Sequence, residues 1–189
     1  MHYWSTVNPH WMREVALQIQ WGFNVWAGIL CDHLIGPFFY DGRLTGDRYI
    51  HFLQHELPTL LEVPLQIRIT MWYQHDGSPP HSALRVMDHL NDTYPEQWIG
   101  WYRPVDWVAR SPDLTPLDFF SWGYLKNIVY QEQPMTPQQL RERIILACHD
   151  ITPAMLQWVR LAMMVRFRTC IRQQDGQFEY LLQPYGGNR

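Results

Sequence analysis

Gln74-His75-Asp76-Gly77-Ser78-Pro79-Pro80-His81 opens the stretch that decides the fold, and Arg110-Ser111-Pro112-Asp113-Leu114-Thr115-Pro116-Leu117-Asp118-Phe119-Phe120 followed by Trp122-Gly123-Tyr124-Leu125-Lys126 closes it. In the first half, a run that alternates polar and apolar residues, Gln66–Tyr73, leads to Asp76 and then a Gly-Ser-Pro-Pro turn. Such alternation predicts a strand that delivers a carboxylate at its C-terminal edge. In the second half, a Pro-rich loop gives way near Leu117 to an apolar run predicted to be helical, so Asp118 sits at the start of a helix. Two acids held at the ends of different elements suit a divalent cation, because Mg²⁺ takes hard oxygen ligands and is commonly bound by one or two carboxylates plus substrate phosphates.

Working outward, Trp21–Leu30 and Leu34–Tyr40 read as two strands of a hairpin around the turn Cys31-Asp32-His33, with Pro37 marking an edge strand. Thr45–Glu62 reads as a helix with Tyr49, Phe52, Leu53, Leu57, Leu60 and Leu61 on one face, interrupted at Pro58. After Asp76 a helix is expected over His81–Asn91, with His81 at its cap, then a short strand over Gln97–Trp101. Thr136-Pro137-Gln138-Gln139 and Thr152-Pro153 each place a Thr N-cap before Pro at the first helical position. They start helices expected to run to about Ile151 and about Arg172. A short helix near Arg13–Gln18 is also expected, and a polar tail after Gly176. Strands alternating with helices make an α/β chain.

The two quoted motifs resemble those of the mariner/Tc1 DNA transposases, whose catalytic domains carry an "HD-G/N-A-P-x-H" strand end and a downstream "SPDL-x-P-x-D/E" segment. The similarity extends from about Tyr3 to about Leu182, which implies a catalytic domain over 1–182 and a tail over 183–189. It implies an RNase H-like fold, a mixed sheet flanked by helices. It also implies that Asp76 and Asp118, with forty-one residues between them, are the second and third catalytic acids and ligands of two Mg²⁺ or Mn²⁺ ions. By the same resemblance the partner is DNA, the full-length protein is a homodimer and its place is the nucleus. His81, Arg110 and Lys126 are the candidate DNA contacts.

The family's first strand, which sits centrally in the sheet and carries its first acid, has no counterpart here, and neither does its N-terminal DNA-binding domain. The acids upstream of Asp76 are Glu14, Asp32, Asp41, Asp47, Glu56 and Glu62, none inside an early strand. The expectation is therefore a transposase fragment that is inactive alone, with its unpaired half-sheets exposed. The alternative is a non-catalytic module that keeps the fold to bind DNA or protein. Relatives also tend to read Arg-Gly-Gly-Pro where this chain has Trp101-Tyr102-Arg103-Pro104.

The remaining features read as structural. A net charge of −3 is unlike the basic balance of a standalone nucleic-acid binder. Cys31, Cys148 and Cys170 have no zinc spacing and read as reduced core thiols of an intracellular protein. No run approaches the roughly 18 apolar residues of a membrane span. Asp113 reads as an N-cap or turn residue rather than a ligand. The Arg160, Arg168 and Arg172 stripe reads as a wet helix face, and Trp26, Trp72, Trp158, Met163 and Met164 as core.

Overall fold

A computed structural model of the chain describes residues 22–61, 63–101, 112–132 and 136–173, together with Phe178 and Leu182. The helix expected near Arg13–Gln18 lies outside them.

The hairpin forms as β1 (Asn24–Leu30) and β2 (His33–Tyr40), paired antiparallel. The register shifts between Trp26 and Gly28, where Ala27 of β1 faces both Gly36 and Pro37 of β2. That extra residue is a β-bulge. Gly36 sits there at φ +96°, and a Cβ on it would lie 3.1 Å from the Phe38 nitrogen and 3.2 Å from the Trp26 carbonyl oxygen. The bulge also reverses which face each side chain takes. Phe38 and Tyr40 belong to one core, with Trp26 from β1, while Leu34 packs in a second core with Phe23 and Ile29. The hairpin thus has an apolar layer on each side.

The first layer is α1 (Gly46–His51), a π-helical turn Phe52–Glu56, α2 (Leu57–Leu60) and, after Asp76, α4 (Leu84–Thr93). Thr45 caps α1, its hydroxyl accepting from the Arg48 N–H. The predicted apolar face holds: Tyr49, Phe52, Leu53 and Leu57 are buried with Val86 and Leu90. The second layer is α5 (Trp122–Val129), α6 (Pro137–His149) and α7 (Pro153–Arg172). Leu125, Val129, Leu140, Cys148 and Leu156 meet there. Both predicted Thr-Pro starts are present: Thr136 Oγ1 accepts from the Gln139 N–H at 3.1 Å and Thr152 Oγ1 from the Met155 N–H at 3.3 Å. Thr152→Ala is expected to cost about 1 kcal/mol, read as a shift of the urea midpoint.

Several expectations are corrected. Gln66–Tyr73 is not a strand: Leu65–Thr70 forms a short helix, α3, and only Tyr73–Gln74 extends as β3. The Pro64 carbonyl accepts from Ile67 and Arg68 at 2.9 and 3.2 Å, and Ile67 from Met71 at 2.8 Å, so the backbone closes its bonds locally. A strand needs a partner edge, and among the described residues the alternating apolar residues find none. Leu65 and Ile69 are exposed, and α3 buries no residue. The second short strand, β4, is Trp98–Ile99, parallel to β3. His81 does not cap α4, whose N-cap is Ala83 without a side-chain bond. Cys31 is exposed at the hairpin turn rather than a core thiol. Trp72, Trp158 and Met164 are surface residues, not core.

Among the described residues the strands make two separate sheets, β1–β2 and β3–β4. A cavity of about 540 Å³ lies between them. No described helix is long and apolar enough to cross a membrane.

Candidate active site

Asp76 follows β3 by two residues, and the parallel pairing continues to it, with the Tyr73 N–H bonded to the Gln97 carbonyl and the His75 N–H to that of Ile99. Beyond β3 the chain turns sharply, and the turn grips the carboxylate. Asp76 Oδ1 accepts from the Ser78 N–H at 3.1 Å and from His81 Nδ1 at 2.6 Å. The carboxylate can only accept, so Nδ1 is the protonated nitrogen of the His81 ring. The His81 hydrogen bond, then the charge of its ring and the Ser78 N–H, outweigh burial and hold Asp76 well below the usual carboxylate range. Asp76 is ionised throughout the physiological range.

Behind this pair lies a buried aromatic stack. His75 and His81 are parallel, their centroids 5.1 Å apart and their planes 5° apart. The Tyr49 ring is 4.1 Å from that of His81, and its hydroxyl pairs with the Tyr73 hydroxyl at 2.8 Å and His75 Nδ1 at 3.3 Å. His75 is buried, and a Cβ on Gly100 would sit 2.5 Å from its Nε2, so only glycine fits beside it. Sequence reading takes Tyr49 as a core residue of its helix. Nothing in spacing alone links it to Asp76, which comes 27 positions later.

Burial, then the charge of His81, pushes the His75 imidazole down to about 3, against the opposing pull of Asp76. The folded state therefore binds fewer protons than the unfolded one between about 6.5 and 3. Stability from this group is complete above pH 6.5 and is lost as pH falls toward 3. At pH 4.5 the loss should be about 2–3 kcal/mol. Urea unfolding at pH 7.5, 5.5 and 4.5 tests this against His75→Asn, which should flatten the pH slope between 6.5 and 4.5.

Asp118 arrives from the other side. Pro112–Leu114 forms a single 3₁₀ turn and Leu117–Ser121 a π-helical turn that runs into α5. The Asp118 N–H bonds to the Thr115 carbonyl at 2.9 Å. Burial first, then the Asp76 charge and that of Asp113, raise the Asp118 carboxyl above its ordinary value, while Lys126 lowers it. Asp76 and Asp118 line the same cavity, with Ser78, His81 and Thr115. Asp113 is held apart as a turn residue: Arg166 donates to its carbonyl at 3.2 Å, stands 3.8 Å from its carboxylate and covers the Phe119 ring at 4.3 Å. Sequence reading misses this Arg166 strut, which fastens α7 to the segment that carries Asp118.

Of the candidate DNA contacts, His81 spends Nδ1 on Asp76, leaving Nε2 for any other partner. Lys126 is exposed on α5 and is the cation that Asp118 senses. Arg110 lies outside the described residues. Among the described residues no group of three or more His, Cys, Asp or Glu side chains converges as a metal cage.

No protein-family model matches the chain. The Tc3 transposase of Caenorhabditis elegans is 25% identical over 158 residues, which is 82% of this chain and 45% of that protein. The Mos1 transposase catalytic domain, solved with raltegravir and Mg, superposes with a TM-score of 0.70 at 18% identity, covering 83% of this chain and 77% of the other. In sequence and in fold the chain is similar to the mariner/Tc1 transposases. Its fold is RNase H-like. The Mos1 mariner paired-end complex with Mn agrees, with a TM-score of 0.71 at 17% identity over 95% of this chain and 52% of that one. This chain spans about half the length of the mariner/Tc1 relative it matches in sequence.

Proposed function

We infer that this chain is the part of a DNA transposase that supplies Asp76 and Asp118 as metal-binding carboxylates for DNA cleavage and strand transfer. One observation carries the reading: a strand end and a helix start, far apart in sequence, bring two acids to one cavity, close enough for Asp76 to shift Asp118. Their oxygen donors suit Mg²⁺ or Mn²⁺, the metals with which Mos1 structures were solved. Bound divalent ions supply activation of water or a DNA 3′-hydroxyl and stabilisation of the leaving oxygen.

The protein's own part is to hold the ligands. His81 and Ser78 fix one oxygen of Asp76 and leave the other to a cation. Asp118 keeps its proton more readily than a free carboxylate, first because it is buried and then because of the Asp76 charge, and a cation between them would remove the second cost. DNA is the substrate and partner, with Lys126, Arg110 and His81 as its contacts, in a homodimer working in the nucleus. Two acids alone should hold paired ions poorly, so the chain by itself should not nick a supercoiled plasmid in Mg²⁺ or Mn²⁺. Nicking would refute that limit. The site itself is tested by Mn²⁺ titration followed by water-proton relaxation. Weak binding that both Asp76→Asn and Asp118→Asn remove supports the reading, and binding that neither variant changes sinks it.

A further inference from the structure

Asp76 has an aromatic neighbour that the metal chemistry does not use. β3 and β4 pair one for one, Tyr73 with Trp98 and Gln74 with Ile99. The His75 N–H still reaches the Ile99 carbonyl at 3.1 Å, so the register holds past the last paired residue. His75 then stands beside Gly100, where a Cβ would meet its imidazole. Successive side chains along a strand alternate between faces. One step further on, the same register sets Asp76 next to Trp101 on the opposite face, across a strand spacing of about 4.8 Å.

The contacts of Trp101 agree. A Cβ on Gly77 would lie 3.3, 3.5 and 3.6 Å from Cδ2, Cγ and Cε3 of the Trp101 indole. The flat side of the ring therefore rests on the backbone of the residue that follows Asp76, and a side chain at Gly77 would press it away. Trp101 is nevertheless 41% exposed, and the Asp76 side chain is 57% exposed. A large aromatic residue has much to gain from burial. Here one is held at the edge of a sheet, against glycine backbone, beside the carboxylate proposed to bind the ion. Trp101 does not line the cavity that Asp76 and Asp118 share, so it flanks the site from outside.

We propose that Trp101 is a stacking platform for one unpaired nucleobase of the DNA strand whose phosphate meets the cation at Asp76. The inference rests on the DNA-cleaving reading above. The phosphate goes to the ion, and the base, one sugar away, goes to the indole on the neighbouring strand. Stacking suits this place because every base offers a π face, so affinity is gained without a preference for sequence. A base inside a duplex is already covered by its neighbours, so the platform takes one that is frayed at an end or turned out of the stack.

The probe is a fluorescein-labelled oligothymidylate of about eight nucleotides, compared in Mg²⁺ with an abasic phosphodiester of the same length and charge. Fluorescence anisotropy gives the affinity of the whole chain for each. Trp101→Leu should weaken oligothymidylate binding by about tenfold and Trp101→Phe by less than about threefold, while the abasic strand binds all three proteins alike. Equal loss on the abasic strand would mean a backbone contact, and equal loss in the Leu and Phe variants would mean packing. Either result overturns the proposal, as does no loss in Trp101→Leu, and in each case the DNA reading stands. A wild-type chain that binds neither strand would overturn both. Oligothymidylate carrying iodouracil, irradiated with the wild-type chain, gives a readout that a folding defect cannot imitate. The cross-linked peptide should contain Trp101, and attachment only elsewhere overturns the proposal.

Discussion

Replacing Asp76 with Asn should weaken Mn²⁺ binding by at least about a hundredfold while leaving the fold intact. The magnitude follows from the order of effects at metal sites: removing an outer partner alone costs 10–100-fold, and Asp76 is proposed as a direct ligand. The fold survives because the Asn carbonyl can still accept from His81 Nδ1 and from the Ser78 N–H, the two bonds that shape the turn. What disappears is the charge. Asp118, raised in part by that charge, should titrate lower in the variant, a change read by ¹³C NMR of its carboxyl. Loss of metal binding with an unmoved Asp118 would mean that the two acids do not share a site. Asp118→Asn should give a similar loss of Mn²⁺ binding, with Asp76 still held low by His81.

Phe52→Ala should destabilise the chain by about 3–5 kcal/mol, the largest effect expected of a single core substitution. Phe52 is 1% exposed. Its ring centroid lies 4.6 Å from Trp26, 4.8 Å from Phe38, 5.7 Å from Tyr40 and 6.3 Å from Tyr49. It therefore ties both strands of the hairpin to the helix that carries Tyr49. Truncation leaves a hole among rigid rings that cannot collapse into it, and aromatic pairs contribute beyond their buried area. Urea unfolding gives the size of the effect. A cost below about 1 kcal/mol would mean that the hairpin does not depend on this layer.

The sequence announces the site better than the sheet. Asp76 and Asp118 are legible because each sits in a short motif whose turn chemistry is local: Gly-Ser-Pro-Pro after the first acid, Thr-Pro before the second. The caps at Thr136 and Thr152 are legible for the same reason, since hydroxyl, proline and first-turn amide lie within four residues. Gln66–Tyr73 misleads because alternation describes a side-chain pattern, whereas a strand is made by a partner. With no edge to pair with among the described residues, Leu65–Thr70 closes its own hydrogen bonds. The bulge at Gly36 and the stack of Tyr49, His75 and His81 join residues far apart in the chain, so no local pattern records them.

Each acid is anchored by its near neighbours: Asp76 by Ser78 and His81, Asp118 by the Thr115 carbonyl. The site therefore behaves like two jaws mounted separately on one frame. The number of residues strung between the jaws is not a mechanical dimension of the grip. Lengthening or shortening that run, outside the anchors, α4 and β4, changes the slack and not the bite. A tally of the residues between Asp76 and Asp118 then says little about how firmly either carboxylate is held.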